Sequence, residues 1–315
     1  MSVPALRPTE LAARTQRAVA AATEAGRELG LSVSEAKVVH DAFSVVVHLA
    51  PSPVVARVPV VLPHGIDGPV QAARQRRELA VVAWLADAGH PVVRPSRLVT
   101  REPVQRAGFS MTFWEWVEVD ASAAPDYLAD APLAADLHAA LRAYPDELPF
   151  LGPVALTVPG CLAFLAEHEG LLAADDLDRA EREWTVLSPL LCSRERFAAA
   201  FPNATVQPIH GDAPSYNVIR TTSGIRYADF EDATLGPPEW DLAGFGAQAA
   251  FAYDAAAARA GVRPLDRDVM RVMDTARMLQ VVSCLALVPQ LPMLADALAP
   301  SLAAWRALPF AAGLG

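Results

Sequence analysis

The stretch His210 to Ala243, HGDAPSYNVIRTTSGIRYADFEDATLGPPEWDLA, decides how the chain is read. Asp212 stands five positions before Asn217, and Asp229 opens the run DFED twelve positions after Asn217. Between them, Val218 to Arg220 and Ile225 to Asp229 are short β-rich runs joined by Thr-Thr-Ser-Gly, a pattern that predicts a hairpin. Its strands run out and back, so Asp229 returns toward the loop that carries Asp212 and Asn217.

Three oxygen-bearing side chains brought together in this way suit phosphoryl transfer. That reaction asks little covalent help of a protein, but it needs Mg2+ held against phosphates and a carboxylate that orients the acceptor hydroxyl. Mg2+ prefers hard oxygen ligands and takes one or two protein groups, leaving phosphates and water to fill its shell.

The residues His210, Gly211, Asp212, Asn217, Asp229, Phe230, Glu231, Gly236, Pro237, Trp240, Asp241, Leu242 and Ala243 fall in the order of a known signature. In them the chain resembles the aminoglycoside phosphotransferase and choline kinase-like family. The resemblance implies an α+β, two-lobed protein kinase-like fold. A small antiparallel sheet with one key helix would form the N-terminal lobe, 1–116, and helices would form most of the C-terminal lobe, 117–315. It also implies that Asp212 is the catalytic base or hydroxyl-orienting group and that Asn217 and Asp229 bind Mg2+. His210 and Asp241 would support the loop.

Upstream, VVARVPVV and QRRELAVVAWLADAGHPVVRPSRL fit the nucleotide lobe of the same family more loosely. In such lobes a strand cation grips the phosphates and is held by a helix carboxylate, and Arg57 and Glu78 stand at those positions. Lys37 is the only lysine and is misplaced for this duty, so arginine, whose fork binds phosphate bidentately, must serve. The phosphate-covering link HDAFS lacks glycine. Ser44 either offers a hydroxyl in place of freely approaching amides or simply opens a strand. Backbone groups near Glu115 to Val117 are the expected adenine contacts, while alternation along FSMTFWEWV assigns Trp114 and Trp116 to core packing.

Working outward, residues 8 to 29 predict a leading helix, and Val70 to Ala88 predict the inserted one. The runs KVVH, SVVVHL and VVARVPVV, with Arg97 to Val99 and Gly108 to Val117, predict five strands. The chain has 315 residues, 53% of them hydrophobic and 20% charged, enough for a sizeable core. A formal net charge of −10 argues against nucleic acid, which is held by Lys and Arg clusters. Cys161, Cys192 and Cys284 are widely spaced and odd in number, which favours reduced, buried thiols. The apolar stretch Met278 to Leu291 is short and interrupted by Gln280 and Pro289, so no membrane span and a cytoplasmic location are expected.

The leading expectation is thus an enzyme moving phosphate from ATP, or GTP in its place, to a hydroxylated small molecule with Mg2+. The glycine-free link and Arg57 motivate a second reading, a kinase-like binding protein without catalysis. Metal-dependent hydrolysis through His210 and Asp212 lacks further ligands at suitable spacing. Glu231, Asp232 and Glu239 either receive a cationic acceptor or are hydrogen-bonded loop residues.

Overall fold

A computed structural model describes residues 3–124, 126–212 and 214–314. Helix α1 (Pro8–Glu28) leads into strands β1 (Val33–Asp41), β2 (Ser44–Pro51) and β3 (Val54–Pro59), helix α2 (Gly68–Asp87), and strands β4 (Val104–Arg106) and β5 (Phe109–Glu115). The five strands form one antiparallel sheet in the order β1-β2-β3-β5-β4. Alternation in β2 sends Val45, Val47 and Leu49 to one face, where they bury against Ala18, Ala21, Ala22 and Ala25 of α1. The small alanines bring helix and sheet close together. A Cβ on Gly26 would lie 2.8 Å from Leu49. Pro69 in the first turn and Asp67, whose side chain accepts from Val70 N–H at 2.9 Å, start α2.

One expected strand is absent. Arg97 to Val99 run outside the sheet, with Leu98 exposed. The preceding residues Arg94 to Ser96 touch β5, through a bridge from Pro95 to Trp114, a bond from Ser96 N–H to the Phe113 carbonyl and one from Glu115 N–H to the Arg94 carbonyl. The pairing edge of β5 belongs instead to β4, joined to it by Ala107 and Gly108, which take φ of 49° and 82° in a tight hairpin turn. Past Ser96 the edge at Phe109 to Met111 is taken by β4, so the earlier segment stops at one bridge.

Beyond the sheet come α3 (Tyr127–Leu141), α4 (Gly152–Glu167), α5 (Ala174–Leu191) and α6 (Arg194–Ala200). The strands β6 (Gln207–Ile209), β7 (Val218–Thr221), β8 (Gly224–Tyr227) and β9 (Thr234–Gly236) follow, then α7 (Glu239–Leu242), α8 (Gly246–Ala260), α9 (Arg267–Ser283) and α10 (Leu294–Ala307). The β7–β8 hairpin has the expected register, Val218 opposite Tyr227 and Thr221 opposite Gly224. The β6–β9 pair was not expected, because three-residue strands leave no periodicity to read. In α9, Val269, Val272, Met273, Ala276 and Leu279 recur at helical spacing and enter the main core beside Trp240 and Trp305.

Two expectations about side chains need correction. Cys161 is buried, but Cys192 is exposed and Cys284 half-buried, since Cys192 closes α5 at the surface. Trp114 is buried, whereas Trp116 is 37% exposed and stacks on His48 with ring centroids 4.1 Å apart. Strand β5 has already ended at Glu115, so Trp116 is no longer held to the core side of the pleat. No helix among the described residues is long and apolar enough to cross a membrane.

Candidate active site

The loop after β6 is built around one buried carboxylate. Asp241, fully buried at the start of the short α7, accepts from His210 N–H (2.9 Å), Gly211 N–H (2.8 Å) and His138 Nε2 (2.9 Å). Tyr253 Oη holds the other nitrogen of His138 at 2.8 Å. Burial alone would raise the Asp241 carboxyl, but these donors hold it below its usual range. Glycine is required at 211. Its φ is +89°, and a Cβ there would lie 1.9 Å from the Asp232 carbonyl oxygen. His210 is buried, with Nε2 2.9 Å from the Ala228 carbonyl and Nδ1 accepting from Asp212 N–H, so it ties the loop to the end of β8.

The loop thus presents Asp212 with its side chain 48% exposed. Asn217 donates Nδ2 to the Asp212 carbonyl (2.7 Å) and, more distantly, to its Oδ2 (3.4 Å), and its side-chain oxygen has no partner among the described residues. Burial within the surrounding protein pushes the Asp212 carboxyl above its usual range, while Arg277 opposes the shift. Asp229, just past β8, adopts φ 61° and ψ 55°, a left-handed conformation that is costly for a residue with a Cβ.

Across the sheet face, Arg57 gathers three acidic side chains. Its Nη1 lies 3.1 Å from Glu78 Oε2, and its Nη2 lies 2.6 Å from Asp229 Oδ1 and 2.7 Å from Glu231 Oε2. Arg74 joins Glu231 (3.0 Å) to Asp232 (2.6 Å), and Gln71 donates to Glu231 at 2.9 Å. Burial weakens the Arg57 charge, yet Asp229, Glu231 and Glu78 together more than offset it and keep the guanidinium protonated. Burial also raises Glu231, but Arg57, Arg74 and Gln71 bring it down to about 2. Glu78, only 1% exposed, is pushed up to about 8 by burial, with Arg57 opposing. Burial raises Asp229 as well, again against Arg57.

Arg57, Glu78, Asn217 and Asp229 line one cleft of about 450 Å3 between the sheet and the β7–β8 hairpin. Val46, Val55, Val82, Val93 and Ile219 supply its apolar walls. Glu115 and Val117 stand at its rim. The Glu115 N–H is spent on the Arg94 carbonyl, while the Val117 N–H has no partner among the described residues. Ser44 is buried at the start of β2 and does not line the cleft. Glu231 and Asp232 are tied to α2, and Glu239 turns away, accepting from Asp266 N–H at 2.6 Å.

Several participants carried no sequence motif. Gln71 and Arg74 lie seven and four residues before Glu78, on the same face of α2, so a polar stripe at helical spacing was the available signal. His138 and Arg277 lie on α3 and α9, far from the motif in sequence, and nothing local marks them.

With the cleft described, comparison with known proteins is informative. Residues 16–276 match the model of the phosphotransferase enzyme family, APH. The chain belongs to this family. No curated protein sequence matches it. Among solved structures, the choline kinase LicA from Streptococcus pneumoniae is 14% identical, with 90% of this chain and 97% of that one covered at a TM-score of 0.57. A microcompartment-associated aminopropanol kinase is 17% identical, with coverage of 89% and 94% and a TM-score of 0.59. The aminoglycoside phosphotransferase APH(3'')-Id from Streptomyces rimosus, in complex with ADP and streptomycin, is 20% identical, with coverage of 84% and 94% and a TM-score of 0.52. At these identities the likeness is one of fold, and it is the two-lobed protein kinase-like fold.

Proposed function

We propose that this phosphotransferase moves the γ-phosphoryl group of ATP, with Mg2+, to a hydroxyl of a small molecule such as an aminoglycoside, sugar or amino alcohol. The lobes divide at 116/117, and the nucleotide lies in the cleft between them. The observation that carries the reading is that Asn217 and Asp229 face the cleft that also holds the Arg57–Glu78 pair, with Asp212 hydrogen-bonded to Asn217 beside it.

Each residue has a task. The Val117 N–H is free to receive an adenine acceptor atom, and the apolar walls enclose the ring. Arg57, held by Glu78, binds phosphate oxygens through its fork. Asp229 and the side-chain oxygen of Asn217 fit Mg2+, a cation content with two protein oxygens; no cluster of three His, Cys, Asp or Glu ligands occurs among the described residues. Bound Mg2+ neutralises charge on the phosphates. For Asp229 Oδ1 to serve the metal, Arg57 Nη2, 2.6 Å from it, would turn to the phosphate oxygens instead. Asp212 accepts the proton of the acceptor hydroxyl as that oxygen bonds to the γ-phosphorus and the bond to the leaving ADP oxygen breaks.

Replacing Asp212 with Asn tests the reading. ADP release should fall by about 100-fold or more, the usual worth of a positioned base, while the thermal shift given by ATP and Mg2+ persists. Undiminished turnover of Asp212→Asn refutes the assignment. A wild-type protein that binds ATP but phosphorylates no acceptor in a broad screen of hydroxylated compounds is instead a binding protein.

A further inference from the structure

Arg277 belongs to no motif, yet its guanidinium is the one arginine head among the described residues within ion-pair range of Asp212, Nη1 lying 3.6 Å from Oδ1. Its own position is fixed through both terminal nitrogens and its flat face, while the buried Nε has no partner among the described residues. The guanidinium carbon sits 3.9 Å from the Trp240 ring centroid, and Nη1 donates to Gln280 Oε1 at 2.9 Å. Nη2 reaches the Gly211 carbonyl (3.4 Å) and the Trp240 carbonyl (3.3 Å). Trp240 in turn donates its indole N–H to the same Gly211 carbonyl at 2.7 Å, so ring, guanidinium and loop form one unit. The side chain is 11% exposed, too enclosed to swing freely.

The Asp212 carboxylate is therefore bracketed, Oδ1 facing Arg277 and Oδ2 facing Asn217 Nδ2. Asn217 spends its short bond, 2.7 Å, on the Asp212 carbonyl and reaches Oδ2 only at 3.4 Å; under the function proposed above, its side-chain oxygen would serve the metal. Arg277 is the charged side-chain anchor of the carboxylate. We propose that Arg277 is a positioning residue for phosphotransfer: through Oδ1 it holds the Asp212 carboxylate so that Oδ2 meets the acceptor hydroxyl. It acts through Asp212 and has no contact with the nucleotide cleft. Misplacement of a reacting group by about 1 Å costs about 100-fold in rate, so an anchor of this kind acts on kcat and leaves nucleotide binding alone.

The experiment compares Arg277→Met and Arg277→Lys with the wild type, by crystal structure and by steady-state turnover of whichever acceptor the wild type phosphorylates. For Arg277→Met, kcat should fall about 10- to 100-fold with KM for ATP within about twofold, and Arg277→Lys, which restores a charge without the fork, should recover most of the loss. In the Met crystal structure the Asp212 carboxylate should leave its wild-type position while Asp241 still binds His210 and Gly211. An Asp212 carboxylate superimposable on the wild type, or an equal loss in the Lys variant, overturns the proposal, as does collapse of the Asp241 contacts, which marks a merely structural arginine. If Met at 277 prevents folding, Arg277→Gln answers the same questions. A wild type without any acceptor activity refutes the phosphotransfer reading on its own account, and the crystallographic comparison still decides whether Arg277 holds Asp212.

Discussion

Asp241→Asn tests the architecture of the loop most directly. Asp241 Oδ2 takes two donors, His210 N–H and His138 Nε2, and Oδ1 takes one, Gly211 N–H. An asparagine keeps its oxygen where two donors converge, which sets its NH2 against the Gly211 N–H. One bond to a charged acceptor is then lost and a buried donor is orphaned, at about 1.5–3 kcal/mol. The two remaining bonds lose their charge assistance, adding roughly 1 kcal/mol or more. Because the donors hold the Asp241 carboxyl below its usual range, its ionised form is net favourable and removing the charge brings no relief. The sum is about 2.5–4 kcal/mol, or about 4–6 °C in Tm for a chain of this size. A carboxyl depressed in the folded state contributes stability that is full above its unfolded pKa and is lost as pH falls through the folded one. The gap between wild type and variant, followed by denaturant unfolding, should hold at neutral pH and close below 3.8, the ordinary value of the group. A variant whose Tm lies within about 1 °C of wild type at neutral pH refutes the reasoning.

Other expectations follow from the same contacts. Glu239, 4% exposed and with no partner for Oε2 among the described residues, is raised by burial to about 7, so the folded state binds the proton more tightly than the unfolded chain does and stability falls as pH rises from 4.5 to about 7. Glu239→Gln, which keeps the acceptor for Asp266 N–H, should gain on wild type across that window, by on the order of 2–3 kcal/mol at pH 8; equal stability at pH 5 and pH 8 contradicts it. Arg57→Met lets Glu78 stay protonated and leaves Glu231 to Arg74, so it should cost on the order of 1–3 kcal/mol in denaturant unfolding, as well as abolish the thermal shift with ATP and Mg2+. A retained ATP shift excludes Arg57 from the phosphate grip.

Much of the molecule was legible because local rules and tertiary demands agree. Period 3.6 marked α1 and α2, and β-branched runs marked β1, β2 and β3; in α1, β2 and β3 the pattern also matches burial on one face, whereas β1 is largely exposed. The strand expected at Arg97 to Val99 failed for a reason that sequence does not carry: the edge of β5 was already occupied by β4. Trp116 was assigned to the core by alternation, which holds only while the strand continues, and β5 ends at Glu115. Ser44 had two readings, and its burial away from the cleft leaves it no access to a ligand there.

The sequence alone determined the family, because Asp212, Asn217, Asp229 and Asp241 sit at fixed spacings within one stretch whose hairpin must fold back on itself. Only the tertiary structure decided what surrounds them. Arg57 spans Glu78, Asp229 and Glu231, Arg74 ties α2 to the same run, and His138 and Arg277 reach across 103 residues to Asp241 and 66 residues to Gly211, respectively. Spacing along a chain fixes which local groups share a turn. Which distant charge arrives beside them depends on how helices pack, and packing is set by the whole core at once.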